Sequence, residues 1–107
     1  MHATDPVVVT AYFHPKPEHR GAVLDALRVA IPRVHDEPGC ELYAITDAPD
    51  GSIVMIEKWN SVAELDAHGN SEAVADLVAA LDGLLDSPVQ VTRLVPVPIG
   101  DPVKGQL

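Results

Sequence analysis

The sequence predicts an α+β fold of ferredoxin-like type, βαββαβ, with a four-stranded antiparallel sheet and its helices on one face. Three observations lead there. Four stretches rich in β-branched and aromatic residues read as strands. Two apolar stripes at helical spacing lie between them. A Pro-Asp-Gly turn, Pro49-Asp50-Gly51, joins the two central strands as a hairpin.

The elements follow in order. Val7–His14 is apolar at nearly every position, so both faces of this first strand are expected to be covered. Pro15 and Pro17 stop it. From Glu18 to about His35, Val23, Leu24, Leu27, Ile31 and Val34 fall on one helical stripe. Pro32 lies inside that stripe and predicts a kink or an early helix end, because it lacks an N–H and crowds the carbonyl of Arg28. Asp36-Glu37-Pro38-Gly39 breaks the chain before a second strand, Cys40–Asp47. Ser52–Trp59 is the third strand. Its alternation places Ile53, Met55, Glu57 and Trp59 on one face and Val54, Ile56 and Lys58 on the other. Ser61 with Glu64 is a capping-box signature for a short helix over Val62–His68, closed by Gly69. Ser71 caps a further helix, Glu72–Asp86, with a stripe at Val74, Leu77, Val78, Leu81 and Leu85. Val89–Val95 alternates cleanly as the last strand. Pro96, Pro98 and Pro102 make the tail non-helical, either disordered or lying as an extended arm on a partner.

The 107 residues fit one domain with one core, over about residues 7–95, followed by the proline-rich tail 96–107. Aromatics are few, so Val, Leu, Ile and Ala must fill the interior. Such a core either packs tightly or leaves a cavity for a flat ligand. A net charge of −9 without a basic run argues against nucleic acid and against an anionic membrane surface. The single cysteine, Cys40, excludes an intrachain disulfide and is read as a small buried residue. Residues 1–6 lack the basic and apolar regions of a signal peptide, and no apolar run approaches transmembrane length, so a cytoplasmic protein is expected. Helices on one face leave the other sheet face bare. A symmetric homodimer burying sheet against sheet is the economical way to cover it.

Glu37-Pro38-Gly39-Cys40, then Glu57-Lys58-Trp59, then Asp66-Ala67-His68, in this order and topology, resemble the antibiotic biosynthesis monooxygenase family, which includes quinol monooxygenases. The resemblance covers roughly residues 7–95. It implies a dimeric α+β barrel with a pocket between sheet and helices in each subunit. It also implies oxygenation of an electron-rich phenol, such as a quinol or anthrone, by O2 without a cofactor. Deprotonating the substrate gives an anion able to pass an electron to O2. The protein need only bind a flat ring, remove a proton and stabilise an oxyanion in a dry site.

Candidate residues follow from that chemistry. His68 is the expected base or hydrogen-bond partner, since imidazole titrates near neutral pH; the plainer reading is a helix-end histidine meeting the last carbonyls. Trp59 is expected to wall the ring and donate its indole N–H to a substrate oxygen, or else to anchor the core. Tyr43, Tyr12, Asn60 and Met55 are candidate substrate contacts, with capping the plainer role for Asn60. Glu57 on an apolar face needs a partner. A structural ion pair with Arg93 of the last strand is favoured over a role as base. His2, His14, His19 and His35 lack paired ligand spacing, so no metal is expected. Two other functions compete: a haem-degrading relative, which would pair an Asn on the first strand with the Trp and a helical His, and a dimeric binding module without turnover. Val7–His14 contains no Asn.

Overall fold

The central hairpin sets the sheet. In the computed structural model, which describes residues 5–107, β2 (Cys40–Asp47) and β3 (Ile53–Trp59) run antiparallel from Asp47 opposite Ile53 to Cys40 opposite Trp59. His2 and the other residues before Asp5 lie outside the described residues. The turn is stabilised locally: Asp50 Oδ1 accepts from Ser52 N at 2.9 Å and from Ser52 Oγ at 2.5 Å. β1 (Val7–Phe13) pairs with β3 on one side and with β4 (Gln90–Leu94) on the other, giving the antiparallel order β2-β3-β1-β4.

Three helices complete the ferredoxin-like α+β fold: α1 (Arg20–His35), α2 (Val62–Gly69) and α3 (Glu72–Leu81). Alternation decides which strand residues meet them. Val7, Val9, Ala11 and Phe13 of β1 join Ile53, Met55 and Trp59 of β3 in one buried cluster with Val23, Leu27 and Val34 of α1. Arg33 ties α1 to α3 through Asp76 at 2.8 Å. The opposite sheet face keeps Tyr12, Leu42 and Leu94 exposed, with Val54 and Ile56 half-buried.

Several expected boundaries move. A single 3₁₀ turn, Pro17–His19, precedes α1, and α1 runs through Pro32 to His35 without ending early. Gly69 is the last residue of α2, with Asn70 as its cap. α3 stops at Leu81, not Asp86. Gly83 adopts φ +77°, and the following segment turns back to β1: Asp86 N donates to His14 O at 2.7 Å and Lys16 N to Leu84 O at 2.9 Å. The tail is an extended segment closed by a turn in which Asp101 Oδ2 accepts from Val103 N and Lys104 N. Its end lines a surface hollow together with Val8 and Leu94. No described helix is long and apolar enough to cross a membrane.

The α1–β2 connection positions everything that follows. Gly39 has φ +80°, and a Cβ there would stand 2.3 Å from the carboxyl carbon of Glu64. Glu64 is held in turn by the Ser61 cap, whose Oγ accepts from Glu64 N at 3.2 Å and donates to Glu64 Oε1 at 3.0 Å. The glycine therefore gives the turn its left-handed conformation and leaves room for the Glu64 carboxyl over it. Gly39→Ala should lower stability by about 1–3 kcal/mol, through backbone strain and displacement of Glu64. Gly51→Ala, with φ +91° but nothing within 4 Å, should lower it less. Urea midpoints of the two variants test this, and equal losses would remove the argument for close approach.

Candidate active site

Four elements deliver polar side chains to one spot. The period of β3 turns Glu57 and Trp59 toward the helices, where both are buried. The last turn of α2 brings in His68, which is 8% exposed. β2 supplies Tyr43, opposite Glu57 in the sheet, and the α1–β2 turn supplies Glu37. Trp59 Nε1 donates to Glu57 Oε1 at 2.9 Å. His68 Nε2 stands 4.0 Å from that same oxygen, and His68 Nδ1 lies 2.8 Å from Glu37 Oε1. The indole and imidazole rings overlap with centroids 4.5 Å apart, and Tyr43 meets the imidazole edge-on at 5.4 Å.

Burial tunes these groups. Desolvation raises the pKa of Glu57; the indole hydrogen bond and then His68 oppose it, while Glu37 adds to it. The Tyr43 phenol is pushed well above its usual range, first by burial and then by the fields of Glu57 and Glu37. It therefore remains an O–H donor at neutral pH. The half-buried Cys40 thiol is also pushed up, by burial first and then by the same two glutamates, which disfavours the thiolate.

The cluster borders a cavity of about 280 Å³, near the lower end of small-ligand pockets. Its walls are mostly apolar, with Val9 and Phe13 of β1 below and Leu65, Leu77 and Leu81 of α2 and α3 above. Tyr43, Glu57, His68 and Arg93 are the lining residues with polar side chains. Val78 and Val91, 65% and 61% exposed, stand at the open side. The arrangement is suited to a flat apolar guest whose hydroxyl reaches the imidazole and the phenol.

Of the residues singled out from the sequence, His68, Tyr43, Glu57 and Arg93 meet at the cavity. Trp59 lies behind it: fully buried, absent from the lining, with its N–H given to Glu57 instead of a guest. Met55 is fully buried in the core and also absent from the lining. Tyr12 points to the opposite sheet face, 41% exposed, because it alternates with Ala11 and Phe13. Asn60 is exposed and lies 3.5 Å from Glu64 Oε1, away from the cavity. The expected Glu57–Arg93 ion pair is not formed. The two residues flank Val9 in the same row, but two strand spacings put their backbones about 10 Å apart. Asp66 of α2 takes the guanidinium at 2.7 Å. Glu37 was missed. It belongs to the Glu-Pro-Gly-Cys segment, yet nothing local in that turn signals a contact with a helix far along the chain. Among the described residues no group of three or more His, Cys, Asp and Glu is arranged to hold a metal ion.

The raised Glu57 has a stability consequence. The folded state keeps this proton to higher pH than the unfolded chain does. From about pH 4.3, the ordinary glutamate value, up to the raised value, the folded state binds more protons and Glu57 subtracts stability as pH rises. Glu57→Gln keeps an oxygen for the indole N–H and removes that loss. Its stability relative to the parent should therefore increase as pH rises from about 4.3, levelling off above the raised value, in urea titrations. A difference that stays constant over this range would mean that the carboxyl is not desolvated.

Comparison with known proteins agrees with this architecture. The family described as "Antibiotic biosynthesis monooxygenase" matches residues 6–80. Rv0793 of Mycobacterium tuberculosis is 36% identical over 95 residues, 88% of this chain and 94% of that protein. Its solved structure superposes with a TM-score of 0.84 at 34% identity, covering 91% of this chain and all of that one. The Escherichia coli K12 protein named "Probable quinol monooxygenase YgiN" is 42% identical over 73 residues, 58% of this chain and 69% of that protein. The Pseudomonas aeruginosa protein PA3566 superposes with a TM-score of 0.79 at 25% identity, over 91% of this chain and 99% of that one. The chain belongs to the antibiotic biosynthesis monooxygenase family.

Proposed function

We propose that the protein is a cofactor-independent monooxygenase that oxidises a quinol- or anthrone-like aromatic with O2. One observation carries this reading: an imidazole and a protonated phenol stand together on the wall of an otherwise apolar cavity. The family and the quinol monooxygenase name of one relative support the same chemistry.

In this reading the ring binds between Val9, Phe13 and the leucines of α2 and α3, with a hydroxyl at His68. His68 Nε2 takes the hydroxyl proton, and the oxygen keeps the electron pair. The resulting anion passes one electron to O2, giving an aryloxyl radical and superoxide. These recombine as a carbon–oxygen bond, and the hydroperoxide formed on protonation loses water to leave a carbonyl on the ring. Tyr43 donates to the developing oxyanion. The apolar walls keep water from the radical pair.

The enzyme works as a homodimer through its outer sheet faces. Tyr12, Leu42 and Leu94 are exposed on that face and Val54 and Ile56 half-buried, apolar area that a second subunit would cover.

Oxygen-electrode assays with a panel of hydroquinones and anthrones, with and without chelator, test the activity. His68→Ala should slow turnover by about 10²–10⁴-fold. Unchanged turnover would remove His68 as base, and tight ligand binding without oxygen uptake would favour a binding module. Ile56→Lys should shift the protein toward monomer in light scattering. An undisturbed dimer would move the interface elsewhere.

A further inference from the structure

Glu37 is the least expected member of the cluster. Its side chain comes from the α1–β2 turn and is only 17% exposed. One oxygen meets His68 Nδ1 at 2.8 Å, and the other, Oε2, is buried without a protein partner. A carboxylate taken from water this far, with one oxygen unmatched, holds its remaining hydrogen bond strongly. The imidazole is enclosed by Glu37, by Tyr43 of β2 and by Glu57 and Trp59 of β3. Arg93 of β4 is engaged by Asp66 of α2.

We propose that Glu37 is a positioning residue that fixes His68 as its Nδ1–H tautomer, leaving the Nε2 lone pair directed toward Glu57 and the cavity wall. Its catalytic consequence rests on the reading of His68 as base. A ring with its proton on Nδ1 can accept the substrate proton only at Nε2, the nitrogen beside the cavity-lining carboxyl. When the substrate O–H bond breaks and Nε2–H forms, Glu37 faces the new positive charge through a bond already made. The mobile alternative, an Nε2–H tautomer, would present a donor where a base is needed. The turn that carries Glu37 is held by Gly39, which explains why a tight connection far from the sheet centre bears on the site.

The test is ¹⁵N NMR of the His68 ring, in the free protein, with Glu37→Gln and Glu37→Leu. The neutral ring should be Nδ1–H in the parent and in Glu37→Gln, whose amide oxygen still accepts. In Glu37→Leu the Nε2–H form should appear. Turnover should follow: Glu37→Leu should lose about 10–100-fold in kcat with little change in KM, and Glu37→Gln should recover most of it. An Nε2–H ring in the parent, or an Nδ1–H ring retained in Glu37→Leu, overturns the proposal. If the tautomers behave as expected while His68→Ala turns over normally, the base assignment falls and the role of Glu37 stands.

Discussion

The constraint on which the rest depends is a carboxylate on an apolar sheet face. Glu57 occupies a position where alternation calls for a residue like Met55 or Ile53, and there it is almost fully removed from water. Burying it without compensation is strongly unfavourable. The structure compensates in three ways. The indole two positions along donates a hydrogen bond, the imidazole of α2 stands across from it, and its pKa rises so that the proton is retained to higher pH. Each response recruits another element. Trp59 must be buried for its N–H to point inward, and α2 must approach closely enough to present His68.

The cavity is a consequence of where α3 stops. Had the helix continued to Asp86, its stripe would have carried Leu85 over β4. Gly83 instead turns the chain back toward β1, and Leu85 bridges to Pro15 at the sheet end. β4 is left exposed along its length, and Val91 faces an opening in place of a helix. The same geometry explains Arg93. On an uncovered edge strand its side chain is free to reach up to Asp66, so it becomes part of the rim and not a counter-ion for Glu57.

The strands were legible because their information is local. The hairpin turn, the period of β3 and the stripe of α1 can each be read within a few residues, and the structure follows them closely. Pro32 does not end α1 early because the helix is fastened beyond it: Val34 is buried and His35 Nε2 lies 3.0 Å from Tyr43 O. The end of α3 was hidden because Leu85 continues the apolar spacing while Gly83, a residue tolerated inside helices, gives no firm stop. The site was half legible. Period alone placed Glu57 and Trp59 together, and the family segments pointed to His68. Tyr12 and Tyr43 looked equivalent, since alternation fixes which residues share a face but not which face the helices cover. Glu37 was out of reach of any such rule, because its partner is 31 residues away in sequence.

The two tyrosines and two glutamates then divide by environment instead of by type. Tyr43, enclosed and flanked by carboxylates, is held as a donor, whereas Tyr12 belongs to a surface that asks only for apolar area. Desolvation raises the pKa of Glu57, whose Oε1 accepts from the indole N–H. Glu37 has no indole to hold and faces the imidazole alone. The two carboxyls therefore meet the imidazole on unequal terms, Glu37 at 2.8 Å from Nδ1 and Glu57 at 4.0 Å from Nε2. Trp59 therefore shapes the site without touching the cavity: it donates to Glu57, and Glu37 is the carboxyl within hydrogen-bond distance of the imidazole.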